Sequence, residues 1–194
     1  LALARAVQRA GPHVSNPANV ILMCCFGGHY CYRSFVFPNL LQAPKPCSLV
    51  LLGMTSGFCL LNGWLQSRAL CAYDDLGSAL HPRFLLGVAL FAVGWYTNVT
   101  SDLALTRLRK PGESGYKIPR GGLFEYVSGA NFLGEIIEWT GFSLAAGGTL
   151  ASATFAVFTL CNIGPRAVAH HANYRERFGA LYPRQRRALI PFVW

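Results

Sequence analysis

Five mainly apolar stretches follow one another along the chain, separated by short segments rich in charged residues, glycine and proline. They cover residues 19–37, 47–65, 84–99, 123–146 and 149–163. A helix needs roughly 20 apolar residues to cross the hydrocarbon core of a bilayer. The pattern therefore predicts an all-α fold, a polytopic transmembrane helix bundle with about five spans. We expect one transmembrane domain that comprises residues 1–194.

Proline and glycine mark the predicted ends of these helices. Pro38 closes the first stretch, and Pro46 lies just before the second. The third helix is predicted to continue to Leu108, because the breaking sequence Lys-Pro-Gly follows at 110–112. The fifth helix is predicted to end at the Gly-Pro-Arg sequence at 164–166, where a basic amphipathic tail begins.

The composition supports the membrane class. Hydrophobic residues make up 53% of the chain and charged residues only 13%. Soluble domains contain about 25% charged residues, and disordered chains combine low hydrophobicity with high net charge. Both of these classes are therefore excluded.

The formal net charge is +9, and the basic residues are concentrated in residues 107–120 and 175–187. Basic clusters beside apolar spans are typical of cytoplasmic loops. Two predicted spans separate the clusters, so both can face the cytosol, which also places the C-terminus there. No nucleic-acid partner is expected, because the sequence contains no zinc finger, basic zipper or aromatic RNA-binding motif.

No metal site or disulfide framework is predicted. The seven cysteines include no CxxC pair, and most lie inside apolar stretches, so they are interpreted as small core residues. His170 and His171 are adjacent, but neither an HExxH motif nor suitably spaced carboxylates accompany them.

Three polar residues share one face of the fourth apolar stretch. Asn131, Glu135 and Glu138 lie at i, i+4 and i+7. An ionisable group inside a span costs roughly 2.5 to 3.5 kcal/mol on the insertion scale, so these side chains must face partners or a cavity. Two interpretations remain open: an interhelical hydrogen-bond cluster, or the wall of a pocket that recognises the hydroxyl and amide groups of a ligand.

A second polar group occurs at the predicted cytosolic end of the third span. Asn98 and Asp102 are one turn apart and precede a basic segment. A carboxylate near a ribose and basic groups near phosphates suit a dinucleotide, although a solvated helix end would have the same pattern. Arg166, His170 and Tyr174 repeat this pattern at i, i+4 and i+8. Because the sequence lacks both GxGxxG and P-loop motifs, any nucleotide must lie between helices.

The first span carries His29, Tyr30 and Arg33 among apolar residues and cysteines. A phenol in this setting can donate a hydrogen bond to a ligand carbonyl or to a neighbouring helix. The residues alone leave both alternatives open.

Longer motifs add a resemblance to a known family. Lys-Pro-Gly at 110–112 is followed by YKIPRGGLFEYV at 116–127 and SGANFLGEIIEW at 128–139. These sequences closely resemble the membrane steroid 5-alpha-reductases (3-oxo-5-alpha-steroid 4-dehydrogenases). The similarity extends from His29-Tyr30 to the end of the chain, including Asn98-x-x-Ser101-Asp102 and ALIPF at 188–192.

The resemblance implies a seven-helix, multi-pass enzyme of the endoplasmic-reticulum membrane. Such an enzyme uses NADPH to reduce the C4–C5 double bond of a 3-keto steroid such as testosterone. Tyr30 matches the tyrosine that hydrogen-bonds the 3-keto oxygen and assists hydride transfer to C5. The positions that match cofactor-contacting residues, including two lysines near the phosphates, are Lys45, Asn98, Asp102, Arg109, Lys117, Asn131, Glu135, Arg166, His170 and Tyr174.

The chain also departs from the family pattern. It begins with Leu1, whereas family members begin with two further helices, the second carrying a glutamate that shares the 3-keto oxygen. Residues 41–46 lack the usual arginine and glycines. We therefore expect an N-terminally truncated chain with an intact cofactor half and little or no steroid reduction.

Two alternative functions remain open. One is a related enoyl-thioester or polyprenol reductase of the same superfamily. The other is a non-catalytic membrane bundle, a pseudoenzyme whose buried acids and amides only hold the helices together.

The charge distribution yields a prediction about topology. Residues 107–120 and the tail after Arg166 should both be cytosolic, because each concentrates basic groups beside a span. Protease and cysteine accessibility in sealed microsomes measures this directly. Labelling of either segment only from the lumen would show that the orientation is inverted, as would glycosylation at Asn98.

Overall fold

The computed structural model describes residues 11–41, 46–108 and 115–194. The all-α class predicted from the sequence is confirmed. The α-helices, in chain order, are α1 Pro17–Cys31, α2 Phe37–Leu40, α3 Leu49–Arg68, α4 Pro82–Arg107, α5 Ala130–Ala145 and α6 Leu150–Phe178. Shorter π or 3-10 helical segments are Tyr32–Val36, Ala69–Tyr73, Gly122–Glu125 and Gly179–Leu181.

Among the described residues, three helical segments are long and apolar enough to cross a membrane. They are Pro17–Leu40, Leu49–Tyr73 and Pro82–Arg107, which correspond to the first three predicted spans. Each begins at a side chain that accepts a hydrogen bond from a first-turn backbone N–H: Asn16 from Ala18, Ser48 from Leu51, and His81 from Arg83. These bonds satisfy donors that have no partner within the helix.

The fourth predicted span is shorter than expected. Its helix, α5, begins at Ala130 and has 16 residues. The preceding residues are held by the C-terminal segment: Ser128 N donates to Arg187 O at 2.9 Å and Gly129 N to Ala188 O at 3.1 Å. Backbone bonds to a distant segment replace the helical bonds, so residues 123–129 do not extend the helix.

The predicted end of the fifth helix at 164–166 is wrong. Helix α6 continues through Pro165 to Phe178 and is 29 residues long. Proline lacks a backbone N–H and therefore removes one intrahelical bond, but packing can compensate: a Cβ placed on the buried Gly164 would lie 3.4 Å from the Trp194 ring. A single helix consequently carries both an apolar segment and the polar residues Arg166, His170 and Tyr174.

Glycines bring the backbones of α4 and α5 into direct contact. They are Gly87 and Gly94 on α4, and Gly134 and Gly141 on α5. A Cβ on Gly134 would lie 2.5 Å from Asn98 N, and a Cβ on Gly141 would lie 2.7 Å from Gly87 O. Small residues at a helix interface permit this close approach in membrane proteins. We call this contact the glycine seam.

An aromatic core surrounds the glycine seam. The Trp139 side chain is buried, and its ring centroid lies 5.7 Å from Phe26, 6.0 Å from Phe91, 5.6 Å from Phe142 and 4.5 Å from Phe155. Offset and edge contacts at these distances stabilise aromatic pairs. Trp139 thus joins α1, α4, α5 and α6.

The seven cysteines all lie in the described ranges and are free thiols. The interpretation of them as core residues is wrong for five, since Cys24, Cys31, Cys47, Cys59 and Cys161 are exposed. Apolar side chains such as Leu60 are also exposed. An apolar outer surface suits a protein surrounded by lipid, so an apolar residue in a span need not face the core.

The glycine seam predicts that Gly94→Ala lowers the free energy of unfolding by about 1 to 3 kcal/mol, because the new methyl group overlaps the Glu138 backbone. Gly57→Ala on α3 is the matched control: no described atom lies within 4 Å of its Cβ position. Thermal denaturation in detergent measures both. Equal melting temperatures for the two variants would contradict this account of the seam.

Candidate functional site

Arg33 connects three parts of the bundle. Its guanidinium donates to Asp102 Oδ2 on α4 at 2.6 Å and to Glu135 Oε2 on α5 at 3.2 Å. The Asp102 side chain is only 4% exposed, so its charge depends on this partner. Arg33 is not among the site residues predicted from the sequence. The available signal was its position inside an apolar span, where a charge requires a partner.

Two amide side chains extend this network across the glycine seam. Asn98 Nδ2 donates to Asn131 O at 2.9 Å, and Asn131 Nδ2 donates to Asp102 Oδ1 at 3.1 Å. The buried Asn98 Oδ1 has no hydrogen-bond partner among the described residues. We call Arg33, Asn98, Asp102, Asn131 and Glu135 the polar network.

A cavity of about 240 Å³ adjoins this network. Its walls come from α4, α5, α6 and the segment before α5. The residues that line it are Leu105, Leu108, Tyr116, Lys117, Ser128, Asn131, Phe132, His170 and Tyr174. Asn131 belongs to both the cavity and the polar network, so the two are parts of one region.

The α6 side of the cavity contains His170 and Tyr174. The Tyr174 ring stacks on Tyr182 with the centroids 5.5 Å apart, and the His170 ring lies 5.6 Å from Phe132. Partial burial and the positive charge of Arg166 lower the pKa of His170. A neutral imidazole can both donate and accept a hydrogen bond. Arg166 is exposed and does not line the cavity.

Residues of α6 and the C-terminal segment hydrogen-bond to Ser128, which lines the smaller cavity. Ser128 Oγ lies 2.6 Å from His171 Nδ1 and 2.7 Å from Tyr182 Oη. The fully buried Arg186 donates to Pro119 O at 2.8 Å, which ties the same segment to the residues around Lys117. Ser128 and Arg186 are not among the predicted site residues. Their partners lie more than 40 residues away, and no local sequence pattern indicates such partners.

Tyr30 lies near a different cavity. Its hydroxyl accepts a hydrogen bond from Asn62 Nδ2 at 3.3 Å, and Asn62 lines a cavity of about 660 Å³ between α3 and α6. That wall is mainly apolar and includes Phe58, Phe155 and Phe158. Its volume falls within the usual range for small-molecule sites, about 300 to 1,000 Å³. We call it the apolar cavity.

The structure thus groups most of the predicted site residues. Asn98, Asp102, Asn131 and Glu135 lie in the polar network, while Lys117, His170 and Tyr174 join Asn131 at the smaller cavity. Tyr30 does not line the apolar cavity but bonds to Asn62, which does, and Arg166 is exposed on α6, where its charge acts on His170. Lys45 and Arg109 lie outside the described residues.

These features define a polytopic membrane protein with a polar site between its helices and an apolar cavity beside it. The chain belongs to the 3-oxo-5-alpha-steroid 4-dehydrogenase family, whose model matches residues 45–194. It is 47% identical over 193 residues to 3-oxo-5-alpha-steroid 4-dehydrogenase 1 of Mus musculus, covering 98% of this chain and 75% of that protein. For the Homo sapiens type 1 protein the identity is 43% over 196 residues, covering 100% and 75%.

A type 2 relative is about equally similar. The chain is 47% identical over 180 residues to 3-oxo-5-alpha-steroid 4-dehydrogenase 2 of Homo sapiens, covering 92% of this chain and 70% of that protein. Identity to both types therefore does not separate them.

The polar network predicts that Arg33→Met is strongly destabilising, by about 3 to 5 kcal/mol, because it leaves Asp102 buried without its cation. Arg68→Met is the matched control, since Arg68 contacts only the exposed Tyr73 among the described polar partners. That change should cost less than about 1 kcal/mol. Denaturation midpoints in detergent measure both, and a similar loss for the two variants would refute the proposed importance of Arg33.

Proposed function

We propose that the protein is an NADPH-dependent reductase that converts 3-oxo-Δ4 steroids, such as testosterone, into 5-alpha-reduced 3-oxo steroids. We place it in the endoplasmic-reticulum membrane with its C-terminus in the cytosol. Membership of the 3-oxo-5-alpha-steroid 4-dehydrogenase family supports the reaction. The observation that carries the proposal is that one helical segment holds Tyr30 beside the apolar cavity and Arg33 in the polar network.

The residues at the smaller cavity suit part of a dinucleotide. Their amide, imidazole, phenol and ammonium groups complement ribose hydroxyls and phosphates. The unpartnered Asn98 Oδ1 adds a buried acceptor nearby. The volume of about 240 Å³ is below the usual range for a complete ligand site, so this cavity would enclose only a portion of the cofactor.

We assign the cofactor to Lys117, Asn131, His170 and Tyr174, with the other members of the polar network fixing Asn131. Lys45, Arg109 and Arg166 would supply positive charge to the phosphates. Bound NADPH would supply the hydride that the substrate receives at C5. The protein itself orients the reactants and excludes water.

Tyr30 is assigned to the 3-keto oxygen. In the structure the Tyr30 oxygen accepts a bond from Asn62, so its own O–H can donate to a ligand carbonyl. Negative charge develops on that carbonyl oxygen when C5 accepts hydride, and a positioned donor stabilises this charge more than the neutral ground state. The substrate then takes a proton at C4.

The apolar cavity is assigned to the fused rings of the substrate. Its phenylalanine walls bury apolar surface, which contributes about 25 cal/mol per Å². The polar residues Asn62, Gln66, Arg68 and Asp74 also line it, and Gln66 donates to Ala151 O at 2.9 Å. A largely apolar ligand with one terminal carbonyl matches this distribution.

The substrate class is tested with an extended version of the protein that also carries the two N-terminal helices expected from the family. The reconstituted extended version is incubated with NADPH and, separately, a 3-oxo-Δ4 steroid, an enoyl thioester and a polyprenol. Mass spectrometry should detect a steroid product with two additional hydrogens. Reduction of the thioester or polyprenol instead would favour the related reductases. Folded protein that binds no NADPH and reduces none of these would favour the non-catalytic bundle.

The cofactor assignment predicts that Asn131→Ala, and Asp102→Ala through its bond to Asn131, each weaken NADPH binding by the extended version more than they weaken folding. The expected loss of affinity is about ten- to hundredfold, because one charge-assisted hydrogen bond contributes about 1.5 to 3 kcal/mol. Titration measures the affinity, and the melting temperature measures folding. Asn39→Ala is the control, because Asn39 is exposed and donates only to Phe35 O. Unchanged affinity combined with a lowered melting temperature would assign the network to structure alone.

The assignment of Tyr30 predicts that Tyr30→Phe in the extended version lowers steroid turnover about a hundred- to thousandfold, as expected for loss of a donor to a developing oxyanion. NADPH affinity should not change, because Tyr30 lies away from the smaller cavity. Tyr96→Phe on the outer face of α4 is the control. Turnover by Tyr30→Phe that equals the control would remove Tyr30 from the mechanism.

A further inference from the structure

A buried pair, His29 and Glu138, connects α1 to α5. His29 Nδ1 and Glu138 Oε1 are 2.7 Å apart, and the two side chains are 5% and 0% exposed. Glu138 Oε2 has no hydrogen-bond partner among the described residues. One proton lies between the pair, on the imidazole or on the carboxyl group. Each side chain therefore depends on the other for its hydrogen bond.

Both members of the pair are close to Tyr30, His29 along α1 and Glu138 through its neighbour Trp139 on α5. His29 directly precedes Tyr30, and Glu138 directly precedes Trp139. The Trp139 ring centroid is 4.7 Å from His29 and 6.2 Å from Tyr30. Successive helical residues project about 100° apart. A fixed direction for His29 towards α5 therefore fixes the direction of Tyr30 towards Asn62.

The other contacts of α1 fix the rotation of this helix about its axis near Tyr30 less directly than the His29–Glu138 bond does. Asn19 is attached at the opposite end, where Nδ2 donates to Leu70 O and Asp74 O. Arg33 is attached one turn beyond His29, inside the π-helical segment Tyr32–Val36. The ring contacts of Phe26 and Tyr30 are apolar and weakly directional. Tyr30 itself accepts a bond from Asn62 at 3.3 Å, and the shorter His29–Glu138 bond is the directional contact between α1 and α5 at the neighbouring position.

We propose that the His29–Glu138 pair is a positioning device that sets the rotation of α1 and so aims the Tyr30 hydroxyl at the carbonyl of the substrate. The inference rests on the proposed role of Tyr30. His29 and Glu138 are positioning residues, because they bond to each other and not to Asn62 or another residue that lines the apolar cavity. A displacement of about 1 Å at a reacting group can lower a rate about a hundredfold.

The first test is independent of activity. The fluorine NMR spectrum of 3-fluorotyrosine at position 30 reports the environment of that ring. We expect one resonance in the wild type, in Glu138→Gln, which retains a hydrogen bond to His29, and in the control Asn19→Leu. His29→Leu and Glu138→Leu should give several or broadened resonances. A single unshifted resonance in both leucine variants would overturn the proposal.

The second test is a double-mutant cycle on steroid turnover by the extended version. Glu138→Leu should lower kcat about a hundredfold, and Glu138→Gln should remain close to wild type. Combined with Tyr30→Phe, Glu138→Leu should add little further loss, since its effect acts through the missing hydroxyl. Multiplicative losses would show that the pair acts independently of Tyr30 and would overturn the proposal.

Failure of the proposed function can be distinguished from failure of the proposed positioning role. If the extended version reduces no steroid, the reaction assigned to Tyr30 is wrong, whereas the fluorine spectra still test whether the pair orients Tyr30. If the leucine variants do not fold, His29→Asn replaces them, because it keeps a polar group but shortens its reach. An unshifted resonance in folded His29→Asn would then overturn the proposal.

Discussion

The contact between the backbones of α4 and α5 sets the geometry of the protein. Glycines at Gly87, Gly94, Gly134 and Gly141 remove the side chains that would separate the two helices. Asn98 can therefore reach the backbone carbonyl of Asn131 across the seam. In a membrane the alternative to such bonds is an unsatisfied polar group in hydrocarbon, which costs several kcal/mol. The close approach of α4 and α5 thus allows the buried polar side chains of the network to find hydrogen-bond partners across the seam.

The site follows from this arrangement. The polar network lies across the glycine seam, and Arg33 links it to the segment that carries Tyr30. The long helix α6 closes the smaller cavity with His170 and Tyr174 and also forms one wall of the apolar cavity through Phe155. The cofactor and substrate assignments thus use different faces of the same few helices. Membership of the 3-oxo-5-alpha-steroid 4-dehydrogenase family supports a single proposed reaction that uses both sites.

Hydrophobic pattern predicted the all-α class and the positions of the first three spans, because those helices have local caps and breakers. It also placed Asn131, Glu135 and Glu138 on one face. It could not show that Pro165 would be accommodated inside α6, since that depends on packing around Gly164. The partners of Arg33 and His29 were likewise hidden, because they lie on other helices. The likeness to a family supplied residue roles that spacing alone left open.

The central claim is that one polar site between α4, α5 and α6 holds the cofactor while Tyr30 holds the substrate carbonyl. A cryo-electron microscopy structure determined with NADPH and a 3-oxo-Δ4 steroid tests this most directly. The account predicts dinucleotide density in contact with Asn131, His170 and Tyr174, and the steroid 3-keto oxygen within hydrogen-bond distance of the Tyr30 hydroxyl. Dinucleotide density at another surface, or a steroid whose keto group lies away from Tyr30, would contradict it.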